Sequence, residues 1–281
     1  MQKNYNKLLT YAYNIVGSYE DARDVVQDVL EKYLKVDKSN IRHESNYLIK
    51  STINHAINFK ARSKKEVFGK WLPEPVSLEN AETELIKEEV ASYTMLVMFE
   101  YLNPKERAAF LLKEGFGYSH SEIAELLEIT TENSRQLLSR ANKHLKVRKF
   151  PASVPQSTVS HDILVRYQKA LVRADVKELE DLLVNDIQLM ADGGTKIQVV
   201  KGTEIGKTAT SALLVYVQRH FLQHTTFTFQ FFNHQPAICF WKNNVLSNCH
   251  ILYLDSNGLI EHIYSIVDPE KLKNLIRLSH I

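Results

Sequence analysis

Apolar residues in the first half of the chain recur at the spacing of a helix face. Leu8, Ala12 and Val16 form one row, Ala22, Val26, Val29 and Tyr33 a second, and Ile49, Ile53 and Ile57 a third. Gly17-Ser18 separates the first two predicted helices, with Ser18 placed to cap the second. Lys35–Ser45 reads as a polar loop. Further helices are predicted from about Leu78 to Tyr101, Pro104 to Lys113, Ser121 to Leu127 and Thr131 to Arg148. The proline- and serine-rich run that starts at Pro151 marks a change of pattern. Two helices, about 159–173 and 176–184, then precede a strand-like Ile187–Ala191, and a helix near 204–220 follows. Runs of strand character come last, at Thr225–Phe232, Ala237–Trp241, Val245–Leu254 and Leu259–Val267, with turn signals at Asn243-Asn244 and Ser256-Asn257-Gly258. The order predicts a multidomain chain, all-α first, then an α+β layer in which a curved antiparallel sheet wraps on helices.

The 281 residues suffice for about two domains. With 44% hydrophobic and 24% charged residues, the composition excludes disordered, collagen-like and disulfide-scaffold classes. No apolar run approaches the roughly 18 residues of a membrane helix, and the first residues show no signal core. Two cysteines, Cys239 and Cys249, make neither a disulfide framework nor a zinc ligand set, which suits a reducing cytoplasm. The net charge of +2 conceals two basic stretches: residues 135–149 carry +6 and residues 50–70 carry +5, whereas residues 151–281 balance to zero. Clustering of this kind suits contact with phosphates.

Residues 119–145 carry the sharpest motif. Ile123, Ala124 and Leu127 form the inner face of a short helix, Ile129 sits in a tight turn, and Thr130 is placed to cap a second helix buried through Leu138, Ala141 and Leu145. The outer face then presents Asn133, Arg135, Gln136, Ser139, Arg140 and Lys143. This is a helix-turn-helix with a cationic recognition helix sized for a major groove. Arginine and glutamine pair with base edges, lysine and serine with phosphates. A helical hairpin with a solvated basic face is the bland alternative.

Upstream, Asp21, Asp24, Asp28 and Glu31 share one helical face with Gln27 beside them. That is either a solvated face or a docking surface for a basic partner. Around Asn46–Arg62, Lys50, Asn54 and Asn58 stand opposite the apolar row, with Lys60 and Arg62 in the basic tail. Amides and cations near Tyr47 and Phe59 suit single-stranded or melting nucleic acid.

Taken in order, these pieces resemble the extracytoplasmic-function sigma factors of bacterial RNA polymerase. The resemblance implies that Asp21, Asp24, Gln27, Asp28 and Glu31 face core RNA polymerase. It implies that Lys50, Asn54, Asn58, Lys60 and Arg62 handle the −10 promoter element, with Lys38–Ser45 near a flipped base. The helix-turn-helix would read the −35 element. Trp71-Leu72-Pro73-Glu74-Pro75 is similar to the linker signature of the SigJ-like group, which carries a fused SnoaL-like domain. Ser134-Arg135-Gln136-Leu137, Asp192-Gly193-Gly194-Thr195-Lys196 and Asp268-Pro269-Glu270-Lys271-Leu272 match further signatures of that group, with Thr195 in place of a usual glycine and Val267-Asp268 in place of a usual asparagine. The domains expected are 1–66 for docking and −10 melting, a linker at 67–84, 85–149 for the −35 element, a linker at 150–157, and a SnoaL-like regulatory domain, conical and α+β, at 158–281. A flexible segment would let the two promoter readers sample many separations, and the regulatory domain would narrow them by packing near 71–75. Core polymerase and promoter DNA are the partners implied. A small-molecule ligand of the C-terminal domain is left open, and no cofactor, metal or membrane is expected. The rival class is a SnoaL-like cyclase or isomerase targeted by a sigma-like half.

Other motifs are weaker. Lys201-Gly202 to Gly206-Lys207-Thr208 looks like a phosphate loop, but three residues separate its glycines where a Walker loop has four. His220 and His224 have the spacing of two ligands on a helix face, with no third ligand fixed. Cys239 and Cys249 flank a predicted hairpin and read as two buried thiols. The strand aromatics Phe227, Phe229, Phe231, Phe232, Phe240 and Trp241 read as core.

Overall fold

The computed structural model describes residues 2–63, 67–78, 84–147 and 161–277. The chain forms two compact units, neither continuous in sequence: residues 1–64 with 84–152, and residues 65–83 with 153–281. The chain therefore leaves the helical unit, passes through the C-terminal unit and returns. The segment expected to join two promoter readers flexibly is part of the C-terminal unit, and the two helical parts form one body.

In the helical unit, α1 (Gln2–Val16), α2 (Tyr19–Lys35) and α3 (Glu44–Arg62) pack on one another. All three predicted apolar rows are buried. Ser18 caps α2 by accepting from the Asp21 N–H. The helix expected over Leu78–Tyr101 is much shorter: a 3-10 turn at Lys87–Glu89 precedes α4 (Tyr93–Phe99), and residues 79–83 lie outside the described set. Polar side chains of α1 hold the stretch before α4 out of a continuous α-helix. The Thr10 hydroxyl accepts from the Ile86 N–H, while the Asn14 amide donates to the Glu89 carbonyl and accepts from the Ala91 N–H.

Next come α5 (Pro104–Phe110), α6 (His120–Leu127) and α7 (Thr131–Val147). Capping boxes, Asn103 with Glu106 and Ser119 with Glu122, start α5 and α6. A buried ionic knot ties the unit together. Arg107 is fully buried; its Nε donates to the Asn14 carbonyl at 2.8 Å, and Nη1 meets Glu100 Oε1 at 2.5 Å. Lys60 Nζ takes the other Glu100 oxygen at 2.8 Å and the Val16 carbonyl at 3.0 Å. Burial pulls the Arg107 pKa down, and the Glu100 carboxylate opposes that.

The C-terminal unit holds α8 (His161–Arg173), α9 (Val176–Leu182), β1 (Leu183–Asp192), β2 (Thr203–Ile205), α10 (Lys207–His220), β3 (Thr226–Phe232), β4 (Gln235–Lys242), β5 (Val245–Leu254), β6 (Ile260–Ile266) and α11 (Pro269–Arg277). The strands form one sheet in the order β2-β1-β6-β5-β4-β3. It is mixed, not antiparallel as expected, because β1 pairs with β6 in parallel. The long connection through α10 frees the starting direction of the β3–β6 meander, so its last strand can return beside β1 in either sense. Asn233-His234 and Asn243-Asn244 make two-residue hairpin turns with φ of 47°, 64°, 50° and 61°.

Leu189, Ile238, Phe240, Leu252 and Ile263 of the sheet bury against Leu164, Tyr167 and Leu171 of α8, Leu179 of α9 and Leu214 of α10. By strand alternation, Cys239, Cys249, Ile251 and Tyr264 face the other side and are equally buried. Phe227 and Phe231 depart from the core expectation: they lie on the edge strand β3 and are exposed.

The knot predicts a large response to single changes. Arg107→Ala leaves Glu100 with one cation, and Glu100→Gln leaves Arg107 buried with its charge unmatched. Each is expected to destabilise the helical unit by about 3–5 kcal/mol. Urea unfolding followed by far-ultraviolet circular dichroism measures it, and a loss near zero for both contradicts the knot's role.

Candidate functional site

The turn between α6 and α7 is built as the sequence suggests. Glu128 ends α6 in the left-handed region at φ 55°, and the Thr130 hydroxyl caps α7 by accepting from the Asn133 N–H at 3.1 Å. The buried row of α7 is Ser134, Leu137, Ala141 and Leu145. The predicted Leu138 is half-buried one step round, since Ser134 turns inward to meet His120 Nδ1 at 3.0 Å. Arg135, Gln136, Ser139, Arg140 and Lys143 are exposed and Asn133 is half-buried. Arg135 touches Glu132 at 3.3 Å, an exposed i,i+3 pair that holds it weakly. Arg148 and Lys149, which the basic stretch included, lie outside the described residues.

On α2, Asp24, Gln27, Asp28 and Glu31 are exposed along one face and Asp21 is half-buried at its start. Gln27 donates to Glu31 at 3.1 Å, and Asp28 lies 3.1 Å from His55 Nε2. The acidic face is thus presented to solvent.

The α3 residues divide. Asn58 and Arg62 are exposed. Lys50 is paired with Glu128 at 3.0 Å, and the Asn54 amide donates to the Leu126 carbonyl at 2.8 Å. Both partners belong to the helix-turn-helix. Lys60 is held in the Glu100 knot. Three of the five α3 residues are therefore engaged inside their own unit. In the loop before α3, Asp37 caps a short turn by accepting from the Ser39 N–H, and the Lys38 ammonium sits 4.8 Å over the Tyr33 ring.

Residues scattered over the sequence meet on the C-terminal unit. Asp192 is fully buried at the end of β1. Its Oδ1 accepts from the Gly194 N–H at 2.8 Å, and Oδ2 accepts from the Leu72 N–H at 2.8 Å and from Lys271 Nζ at 2.5 Å. Lys271 also donates to the Leu72 carbonyl and lies 4.6 Å over the Trp71 ring. The Asp192 carbonyl accepts from the N–H groups of Val267 and Asp268. Glu74 accepts from the Asn274 amide at 2.9 Å, and Lys196 pairs with Glu270 at 2.6 Å. A Cβ on Gly193 would lie 1.8 Å from the Ile197 carbonyl oxygen, so that turn admits glycine alone. Pro73 and Pro75 keep the segment extended. Asp268 caps α11 and Pro269 begins it, with Leu272 buried beneath.

Residues 1–66 match the family model for Sigma-70 region 2, and residues 94–145 match that for Sigma-70, region 4. The ECF RNA polymerase sigma factor SigJ of Mycobacterium tuberculosis is 28% identical over 210 residues, which is 70% of this chain and 66% of that protein. The probable ECF RNA polymerase sigma factor SigI of the same organism is 26% identical over 278 residues, covering 95% and 92% of the two chains. The chain carries Sigma-70 regions 2 and 4 and is similar to extracytoplasmic-function sigma factors. The crystal structure of the M. tuberculosis SigJ protein matches with a TM-score of 0.75 at 20% identity, over 97% of this chain and 96% of that one. The shared fold is two helical parts and an α+β unit built on a six-stranded mixed sheet.

Several contacts of this chain were not read from its sequence. Phe68 and Lys70 donate backbone N–H groups to the carbonyls of Gly194 and Ala191, at 2.7 and 2.8 Å, and Gly69 bridges to Asp192. Asn233, in a hairpin turn, exchanges two hydrogen bonds with the Val76 backbone. The turn-type dipeptide at Asn233-His234 was the available signal. Among the described residues no group of three or more side chains is placed to hold a metal. His220 Nδ1 instead meets the Tyr216 carbonyl. Gly206 starts α10, the role a glycine turn would have. Cys239 and Cys249 are cross-strand neighbours with sulfurs 3.7 Å apart, and burial raises the Cys249 pKa.

The clip is testable without polymerase. At Gly69, φ is +85°, and an added Cβ would lie 2.3 Å from the Ala191 carbonyl oxygen. Gly69→Ala is therefore expected to release residues 67–78 from the sheet, as is Lys271→Met, which strands a buried carboxylate at a cost of about 3 kcal/mol or more. Limited proteolysis at 67–78 should accelerate by roughly tenfold or more in both. Unchanged cleavage in both variants contradicts the clip.

Proposed function

We propose that this sigma factor docks on core RNA polymerase through Asp21, Asp24, Gln27, Asp28 and Glu31, reads the −35 element through Asn133, Arg135, Gln136, Ser139, Arg140 and Lys143, and opens the −10 element with α3. The observation that carries this reading is the pair of exposed, oppositely charged faces on α2 and α7, inside the segments matched to regions 2 and 4. Its place of action is the cytoplasm, where polymerase and promoter meet. The protein performs no covalent chemistry in this role. Binding energy alone redistributes polymerase among promoters.

Lys50 and Asn54 are engaged by the helix-turn-helix, so promoter opening requires the two helical parts to separate. The exposed ion pair and amide bond at this contact cost little to exchange for polymerase and DNA, whereas the buried knot of Asn14, Lys60, Glu100 and Arg107 also joins the two parts and must open with them. Residues 67–78 lie between the two parts in sequence and are clipped within the C-terminal unit, which supports regulation in cis through Trp71–Pro75, Asp192–Lys196 and Asp268–Leu272. A linker held in one shape permits few separations of the promoter readers, and releasing it permits many.

The test is reconstitution with cognate core polymerase and a genomic promoter pool. Asp24→Lys combined with Asp28→Lys is expected to leave the fold intact, since both side chains are exposed, and to weaken core binding by about 3 kcal/mol or more through charge reversal. Equal capture of core polymerase by this variant and the parent rejects the docking face.

At the promoter, Arg135→Ala and Gln136→Ala should each cost about 1–3 kcal/mol at one base pair and relax specificity there. Lys143→Ala should weaken all promoters alike and reduce the salt slope by about one. If all three weaken every sequence equally, this face does not read bases.

A further inference from the structure

Between α10 and the sheet of the C-terminal unit lies a cavity of about 570 Å³ that the sigma activity leaves unused. Its size falls in the range of small-molecule sites. Leu189, Leu213, Leu214, Val217 and Leu222 make its walls apolar. One end is polar, formed by Asn248, His250 and Ser265, each more than nine-tenths buried.

The polar end carries a chain of hydrogen bonds. Ser265 Oγ donates to Asn248 Oδ1 at 3.2 Å, the Asn248 amide faces His250 Nε2 at 3.4 Å, and His250 Nδ1 meets the Tyr167 hydroxyl at 3.0 Å. A neutral imidazole has one N–H, so with Nε2 accepting, Nδ1 donates to Tyr167. Burial pulls the His250 pKa down to about 4, so the ring is neutral at physiological pH. The Ser265 oxygen and the second lone pair of Asn248 Oδ1 stay open as acceptors, and the second N–H of the Asn248 amide as a donor, a set that suits a hydroxyl group. The charged lining residue, Lys242, is exposed. A ligand charge at the polar end would be desolvated without a counter-ion. A hydroxyl group on an apolar body meets no such cost.

The cavity wall is also the clip's support. Ala191 lines the cavity while its carbonyl accepts from Lys70. Val267 lines it while its N–H binds the Asp192 carbonyl. Val199 lines it too, and its Cγ2 lies 2.4 Å from where a Cβ on Gly69 would stand. Filling the cavity must press on residues that hold 68–72.

We propose that this cavity is an effector site for an uncharged, mostly apolar molecule bearing a hydroxyl group, and that its occupancy changes how firmly residues 68–72 are held. The regulatory meaning rests on the cis-regulation reading above; the site and its coupling to the segment do not.

The experiment uses the full chain and three probes with the same ring system: 1-hydroxypyrene, pyrene and pyrene-1-sulfonate. Fluorescence titration should show 1-hydroxypyrene binding roughly tenfold or more tightly than the sulfonate. Leu213→Trp fills the cavity from a half-buried wall position and should abolish binding. Ser265→Ala, a milder change, should remove the preference for 1-hydroxypyrene over pyrene. Hydrogen exchange of the Phe68, Lys70 and Leu72 amides should change by roughly threefold or more on saturation with 1-hydroxypyrene, with no change in α5. Binding of the sulfonate as tight as that of 1-hydroxypyrene, full binding by Leu213→Trp, or unaltered exchange at all three amides overturns the proposal. None of these readouts involves polymerase. Their failure leaves the sigma reading standing, and a ligand-dependent clip with unchanged transcription would instead reject cis regulation.

Discussion

The fully buried carboxylate of Asp192 is the constraint around which the C-terminal unit is organised. A desolvated charge is tolerated only when its lone pairs are taken and an opposite charge lies against it. Asp192 finds those partners close by in Gly194 of the following turn and in two distant parts of the chain, Leu72 in the segment between the helical parts and Lys271 near the C-terminus. Lys271 has a matching need, met by the Leu72 carbonyl and the Trp71 ring. Each satisfied bond leaves fewer places where the others can be made. Residues 67–78 consequently have one docked position on the sheet, and Gly69 is where the two backbones come close enough for it.

The helical unit uses the same physics. Arg107 is buried beyond the reach of water and depends on Glu100, which Lys60 shares. The lysine that closes this knot belongs to the helix proposed to act on the −10 element, so one side chain serves packing where sequence pattern suggested nucleic-acid contact. The contact of α3 with the helix-turn-helix is lighter, an exposed ion pair and one amide hydrogen bond. The two parts are therefore joined by links of two kinds, the buried knot of Asn14, Lys60, Glu100 and Arg107 and the weak polar contact of α3 with the helix-turn-helix. The cavity under α10 gives the C-terminal unit a soft apolar space walled by the residues that hold the clip.

Much was legible from residue order. The apolar rows of α1 to α3, the caps at Ser18 and Thr130, the helix-turn-helix, the strand meander and the terminal helix follow from local periodicity and from side chains that bond to a backbone N–H a few residues away. The outward faces of α2 and α7 were legible for the same reason, because burying one face of a helix dictates the other. Errors arose where a distant group decided the local structure. Asn14 and Thr10 hold residues 86–91 out of the continuous α-helix expected there, and the inward turn of Ser134 toward His120 rotates the buried row of α7. Neither partner lies within reach of a local pattern.

The C-terminal clip divides in the same way. Its residues stood out in the sequence as separate short motifs resembling those of one family, but nothing local says that Leu72, Asp192 and Lys271 share one charge site. That is a tertiary decision, since the free energy of a buried ion pair exists only once all three segments have excluded water together. The parallel pairing of β1 with β6, the assignment of residues 65–83 to the C-terminal unit and the cavity against α10 are likewise properties of assembled surfaces. The sequence by itself determined the elements, their outward chemistry and the family. Only the tertiary structure decided which of those chemical groups face solvent and which are spent on one another, because burial and electrostatic pairing depend on neighbours that chain order does not specify.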